Sequence, residues 1–264
     1  MVSLHLVALG LYGLTTGLVI APFAGGRPAA RALILGLPIG GAAFHVIALS
    51  GLSFVGLAPS LSLFALFLIL LQVVSDRIFR APAVALFTAP LAAGFVGLSL
   101  LIGLGNGVTA GGGREVWLVL HVTLSVLGVA LLALAFVSSA LYLLQFRELK
   151  AKRFGRAFQL FPPLERLDRL NQLALTAGFP ALTLGVLLAV GYAIRFADGA
   201  ADMGKAQVVW GAFTWLVLGW SVWVRHVRHW AGRRAAVASI AGFAAVLLVY
   251  LALKLTAPGA GRFL

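Results

Sequence analysis

The chain contains no cysteine. Disulfides, thiolate metal sites, a dithiol relay and a covalent haem attachment of the C-x-x-C-H kind are therefore excluded. Acidic residues are almost as scarce, 7 in 264 residues against 20 lysines and arginines. They are Asp76, Glu115, Glu148, Glu165, Asp168, Asp198 and Asp202, and none falls in the middle of an apolar run. A carboxylate path for protons or sodium, of the kind transporters use, has no members here. Charged residues of both signs make up only 10% of the chain, where a soluble domain carries about 25%. Walker loops, H-E-x-x-H and G-x-S-x-G turns are missing too, so nucleotide hydrolysis, zinc proteolysis and serine hydrolysis lack their residues. Gly111-Gly112-Gly113 is followed by no phosphate-binding pattern and reads as a loop.

What is present is apolar. Hydrophobic residues make up 62% of the chain and the mean hydropathy is +1.07. Eight runs are separable, at about 2–23, 32–54, 60–75, 82–104, 115–146, 170–194, 205–225 and 236–257. A bilayer-crossing helix needs roughly 20 apolar residues. The runs lack the alternation of strands, and in lipid the backbone must satisfy its own hydrogen bonds. The expected fold is all-α: a polytopic membrane helix bundle of eight transmembrane helices, forming a single transmembrane domain over 1–264. The first run has no basic flank and is too long for a signal-peptide core, so it is expected to stay as the first helix.

The net charge of +13 would suggest nucleic acid in a soluble protein. Here the cations gather on alternate connections. They are Arg27 and Arg31, then Arg77 and Arg80, then a cluster from Arg147 to Arg169, then Arg225, Arg228, Arg233 and Arg234. The positive-inside rule puts these connections in the cytoplasm and both termini outside. The expected location is a bacterial inner membrane, with the lipid bilayer as partner and no nucleic acid. Within the third basic connection, about 151–170, Pro162-Pro163 precedes Leu164, Leu167, Leu170 and Leu173, with Glu165, Arg166, Asp168 and Arg169 between them. This predicts one amphipathic interfacial helix on the inner side, running into the sixth span.

Ionisable groups inside a span are costly and are functional-site candidates by default. His121 lies near the start of the fifth run, roughly 9 Å below its outer edge at 1.5 Å per residue. His45 lies roughly 13 Å below the outer edge of the second run, taken to end near Phe54. His5 is a third imidazole at that side, about 5 Å from the edge. Neutral imidazoles at similar depth can ligate a metal or haem iron, relay protons, or merely hydrogen-bond across helices. His226 and His229 lie beside Arg225 and Arg228 and read as a basic interfacial pair. The seventh run is rich in tryptophan, from Trp210 to Trp223, which can line a pocket, form an interfacial belt or pack helices. Lys205 at its outer mouth can meet an anion such as a propionate or simply reach the interface.

Four stretches carry a resemblance. FHVIAL (Phe44–Leu49) is similar to an F-H-T-L-A-L region. LHVTLSVLGVALLALAFVSSALYLLQ (Leu120–Gln145) resembles an H-V-x-x-x-x-x-A-Y helix. LERLDRLNQLALTAGFPALTLGVLLAVGYA (Leu164–Ala193) and GKAQVVWGAFTWLVLGWSVWVRHVRHWAGRRAA (Gly204–Ala236) follow in the same order. Together, over about residues 30–250, they resemble the CcsA-type cytochrome c assembly integral membrane proteins, and their short HemX-like and YpjD-like members in particular.

The resemblance implies haem handling in c-type cytochrome maturation, with haem b as cofactor and other maturation proteins as partners. It implies His45 and His121 as haem-iron ligands, with Lys205 and Trp210 as pocket residues. The family's tryptophan-rich outward segment is absent, its place being taken by Gly199–Met203. A shortened haem-handling relative is therefore expected rather than a haem-delivering synthetase. No catalytic residue is assigned, and whether the protein is an enzyme stays open. Two other classes stand beside this reading: a small-molecule permease, and a non-catalytic assembly or scaffold subunit acting through its inner basic face.

Overall fold

A computed structural model describes residues 1–27, 29–50, 52, 56–104, 114–152, 161–196 and 206–256. Among them there is no strand, and eight helices are long and apolar enough to cross a membrane. They are α1 (Val2–Ile20), α2 (Arg31–Leu49), α3 (Leu57–Phe79), α4 (Ala85–Ile102), α5 (Arg114–Lys150), α6 (Leu164–Phe196), α7 (Ala206–His226) and α8 (Gly232–Thr256). Short 3-10 turns at Ala21–Ala24 and Pro82–Val84 follow α1 and precede α4. Pro38, Pro90 and Pro180 sit inside α2, α4 and α6 without ending them. Neighbouring helices can make good a lost backbone bond in such spans.

The bundle has two packed halves. In one, α1 packs on α2 and α4, and α3 on α2 and α4, around Ala8, Tyr12, Ala42, Leu66, Ile69 and Val96. In the other, α5 packs along α6 and against α8, with α7 between α6 and α8, around Leu132, Leu141, Leu167, Leu175 and Leu218. Helix α5 joins the halves, since Val122 and Val126 pack against the first cluster. The closest seam is between α5 and α6. A Cβ on Gly128 would lie 2.7 Å from the Leu182 Cβ, and one on Gly185 would lie 2.5 Å from the Ser125 hydroxyl. Small residues let backbones approach where no hydrophobic driving force separates protein from lipid tails.

Two expectations change in detail. Helix α2 ends at Leu49, where Ser50 turns its hydroxyl back onto the Ile47 carbonyl, so the run to Phe54 overestimates the span, and Phe54 itself lies outside the described residues. The leucines after Pro163 belong to the first turns of a 33-residue helix. Leu167 and Leu170 are buried in the core rather than laid on a surface. The rest of the anticipated inner segment, 153–160, lies outside the described residues.

Among the described residues two ion pairs tie the basic ends of the helices. Arg31 reaches the Asp76 carboxylate at 3.4 Å, joining α2 to α3. Arg225 on α7 grips Asp168 on α6 through both nitrogens, at 2.8 and 2.6 Å, and Asp168 also accepts from the Gly232 N–H that opens α8. Arg225 is buried, not a snorkelling surface cation, because α6 turns Asp168 toward the α7–α8 junction.

Candidate functional site

The end of the bundle opposite the basic residues holds three of the five histidines. His5 enters from the first turn of α1, His45 from the last turn of α2, and Ser62 from the first turns of α3. Tyr12 follows two turns after His5 on α1. All four side chains are fully buried. The His5 Nε2 and the His45 Nε2 both contact the Ser62 Oγ, at 3.0 and 2.7 Å. The Tyr12 hydroxyl lies 3.2 Å from the His45 Nδ1, and the His5 Nδ1 lies 3.1 Å from the Met1 carbonyl. The imidazoles meet edge to face, 5.2 Å between centroids.

One end of this chain fixes all of it. A carbonyl only accepts, so a neutral His5 must donate from Nδ1 to Met1, and its Nε2 is then an acceptor. The Ser62 hydroxyl donates to that nitrogen and has no second proton to give. The His45 Nε2–H therefore donates to the Ser62 Oγ, and the His45 Nδ1 accepts from Tyr12. The result is a hydrogen-bond chain running one way across three helices, with every ring nitrogen occupied. Gly41 makes room for it, since a Cβ there would lie 2.6 Å from the Tyr12 ring.

His121 is placed differently. It lies two turns into α5, half-buried, with its Nδ1 2.8 Å from the Gly185 carbonyl of α6. The carbonyl accepts, so Nδ1 carries a proton, and in the neutral tautomer the lone pair then sits on Nε2. Among the described residues no hydrogen bond reaches that Nε2. The close α5–α6 seam makes this contact, with Ser125 one turn on pressed against Gly185.

His45 and His121 are not brought together. His121 faces α6, whereas Val122 and Val126 on the same helix face the cluster that holds Tyr12 and Ala42. The imidazole in contact with His45 is His5. Equal depth did not imply adjacency, because α5 turns its histidine the other way.

Trp210 packs on α8, donating its indole N–H to the Val246 carbonyl at 3.2 Å with its ring 5.6 Å from that of Tyr250. Trp215 donates to Thr183 on α6 at 2.9 Å, while Trp220 and Trp223 are exposed on the outer surface of the bundle. Lys205 lies outside the described residues. His226 meets the Thr176 hydroxyl at 2.9 Å at the basic end. Among the described residues no group of three or more His, Asp or Glu side chains is arranged to hold a metal ion.

For haem, the two leading histidines differ in fit. His121 has its Nδ1–H held by a backbone carbonyl and, among the described residues, no protein partner on its far nitrogen, the arrangement metal-ligating histidines use. His45 offers no free nitrogen as it stands. Sequence reasoning missed Ser62, Tyr12 and Asp168. Ser62 and Tyr12 gave no signal, since a serine or tyrosine in an apolar run is ordinary. Asp168 did give one, as an acid among basic residues at the start of a span.

Residues 54–260 match the family described as cytochrome C assembly protein. The chain belongs to that family. It is similar to the cytochrome c biogenesis protein CcsA of Chlamydomonas reinhardtii, 29% identical over 143 residues, which is 54% of this chain and 39% of that protein. It is similar to CcsA of Guillardia theta, 27% identical over 54% of this chain and 52% of that protein. Similarity to the protein HemX of Bacillus subtilis runs longer, 24% identical over 74% of this chain and 71% of HemX. The cytochrome c assembly chain thus spans about half the length or less of these two CcsA proteins.

Proposed function

We infer that this member of the cytochrome c assembly family handles haem in c-type cytochrome maturation, with His121 as a haem-iron ligand. The observation that carries the reading is the His121 Nδ1–H held by the Gly185 carbonyl at 2.8 Å, which leaves Nε2 as the lone-pair nitrogen. Haem supplies an iron that takes such a nitrogen as an axial ligand. With no cysteine in the chain, thioether attachment is excluded, and haem b is the form we propose.

His45 is the second ligand candidate. Its Nδ1 accepts only from Tyr12, so ligation through that atom displaces one hydroxyl and leaves the bond to Ser62 intact. Lys205, just before α7, is the candidate partner of a propionate, and Trp210 the flanking aromatic. Among the described residues no group is placed for hydrolysis or group transfer, and we propose binding rather than turnover.

The positive-inside rule supports a cytoplasmic basic end and outward termini, and membership of the cytochrome c assembly family supports a bacterial inner membrane with other maturation proteins as partners. Phosphatase fusions at Gly112 and Arg156 test this, activity being expected at Gly112 only.

The decisive experiment is the absorption spectrum of the purified protein. A Soret band that is lost in His121→Ala and weakened in His45→Ala is the expected result. A colourless protein that also fails to take up added haemin sinks the reading.

A further inference from the structure

Two grooves open at the basic end of the bundle, and they differ in charge. The first, about 530 Å³, lies between the end of α3 and the start of α6. Arg80, Arg166 and Arg169 line it together with Glu165. The second, about 560 Å³, lies between the last turns of α5 and the first turns of α8. Its cations are Arg147, Lys150 and Arg233, its wall is Leu143, Phe146 and Val237, and among the described residues no acid lines it. Among the described residues none of these three cations has an ion pair. Arg233 instead lies 6.0 Å from the centroid of the Phe146 ring.

We propose that the α5–α8 groove is a binding site for the headgroup of an anionic phospholipid. Three cations without a counter-charge offer a phosphate a complete set of donors. The wall beneath them is apolar and continues along two membrane-spanning helices. Val237 is exposed on it, so an acyl chain can lie along the surface while the phosphate stays at the cation ring. A free anion would use the cations and gain nothing from the wall. A zwitterionic lipid would use the wall and bring a positive group to the cations. Basic pockets between spans at this membrane face commonly hold anionic headgroups. The first groove lacks this logic, because Glu165 opposes a phosphate. The proposal rests on the membrane-spanning fold and is independent of haem.

The test is native mass spectrometry of the full-length protein after exchange into mixed micelles, with phosphatidylglycerol, phosphatidylcholine or inorganic phosphate as probe. Each juxtamembrane cation contributes on a scale that makes the triple variant R147Q/K150Q/R233Q about a hundredfold weaker for phosphatidylglycerol. The pair R166Q/R169Q in the other groove keeps wild-type binding. R147K/R233K keeps the preference for phosphatidylglycerol, and Val237→Asp, which puts a carboxylate on the wall, loses it. The spectrum of bound haemin, or circular dichroism where no haem binds, confirms folding of each variant. The proposal is overturned if the triple variant retains wild-type affinity, if phosphatidylcholine binds as tightly, or if inorganic phosphate competes at equal concentration.

Discussion

Replacing Ser62 with alanine tests the most specific feature of the structure, because one oxygen carries two bonds that point the same way. Its loss removes the donor from the His5 Nε2 and the acceptor from the His45 Nε2–H, both fully buried. A buried polar group left without a partner costs about 1–3 kcal/mol in soluble proteins. Between membrane helices a side-chain hydrogen bond averages about 0.6 kcal/mol and reaches about 1.7 kcal/mol. Two bonds lost at one atom therefore place Ser62→Ala at about 1–3 kcal/mol of destabilisation. Ser75 supplies the control. It is equally buried on the same helix, but its hydroxyl only bonds back to the Leu71 carbonyl, which its own helix already uses. Ser75→Ala is expected to stay within about 0.5 kcal/mol of the parent. Reversible unfolding in mixed micelles measures both. Imidazole ¹⁵N spectra give a second readout, with the proton on Nδ1 in His5 and on Nε2 in His45. In Ser62→Ala, His45 is free to move its proton to Nδ1 and donate to Tyr12. Equal stabilities for the two serine variants, or a parent His45 already protonated on Nδ1, would refute the one-way chain.

Three further outcomes follow from the packing. Arg225→Ala strips the partner from Asp168 and leaves a carboxylate facing a protein junction, which costs about 3–5 kcal/mol for a fully buried pair. The partial exposure of Asp168 puts the expected loss at the lower end, and thermal unfolding with Arg228→Ala as the exposed control measures it. Gly185→Ala drives a methyl group to within 2.5 Å of the Ser125 hydroxyl. The α5–α6 seam opens at a cost of about 1–3 kcal/mol, and under the proposed role of His121 haemin affinity is expected to fall, read by titration. Tyr12→Phe removes one bond from His45 without enlarging the site and frees its Nδ1 lone pair. Haemin uptake is expected to hold or rise in this variant, and a loss of uptake would assign Tyr12 to the pocket itself.

The fold was legible because lipid leaves the backbone few choices. Eight long apolar runs, Gly and Pro punctuation and cations on alternate connections are signals that survive without knowledge of contacts. Boundaries were less so: hydrophobicity continues past Leu49 although the helix does not, and the amphipathic segment after Pro163 reads as lying on the membrane surface although α6 turns Leu167 and Leu170 into the core. The site was legible only as a set of expensive residues. His5, His45 and His121 declare themselves by what they cost in a span, but which of them meet depends on the rotation of each helix about its axis. One residue turns a helix by about 100°. That turn separates His121, which faces α6, from Val122, which faces the half of the bundle holding His45.

That rotation also assigns different duties to chemically identical side chains. His45 and His5 close a hydrogen-bond chain that uses all four of their nitrogens, so in this state they hold α1, α2 and α3 together. His121 uses one nitrogen for a backbone carbonyl and keeps the other. A histidine whose polar atoms are all satisfied by protein has a sufficient reason to be buried. His121 is only half-buried, and its far nitrogen, without a hydrogen-bond partner among the described residues, is open to something the chain does not itself provide. The distinction rests on hydrogen-bond counting at named atoms. It ranks His121 above His45 as a ligand candidate on grounds separate from the family resemblance that first drew attention to both.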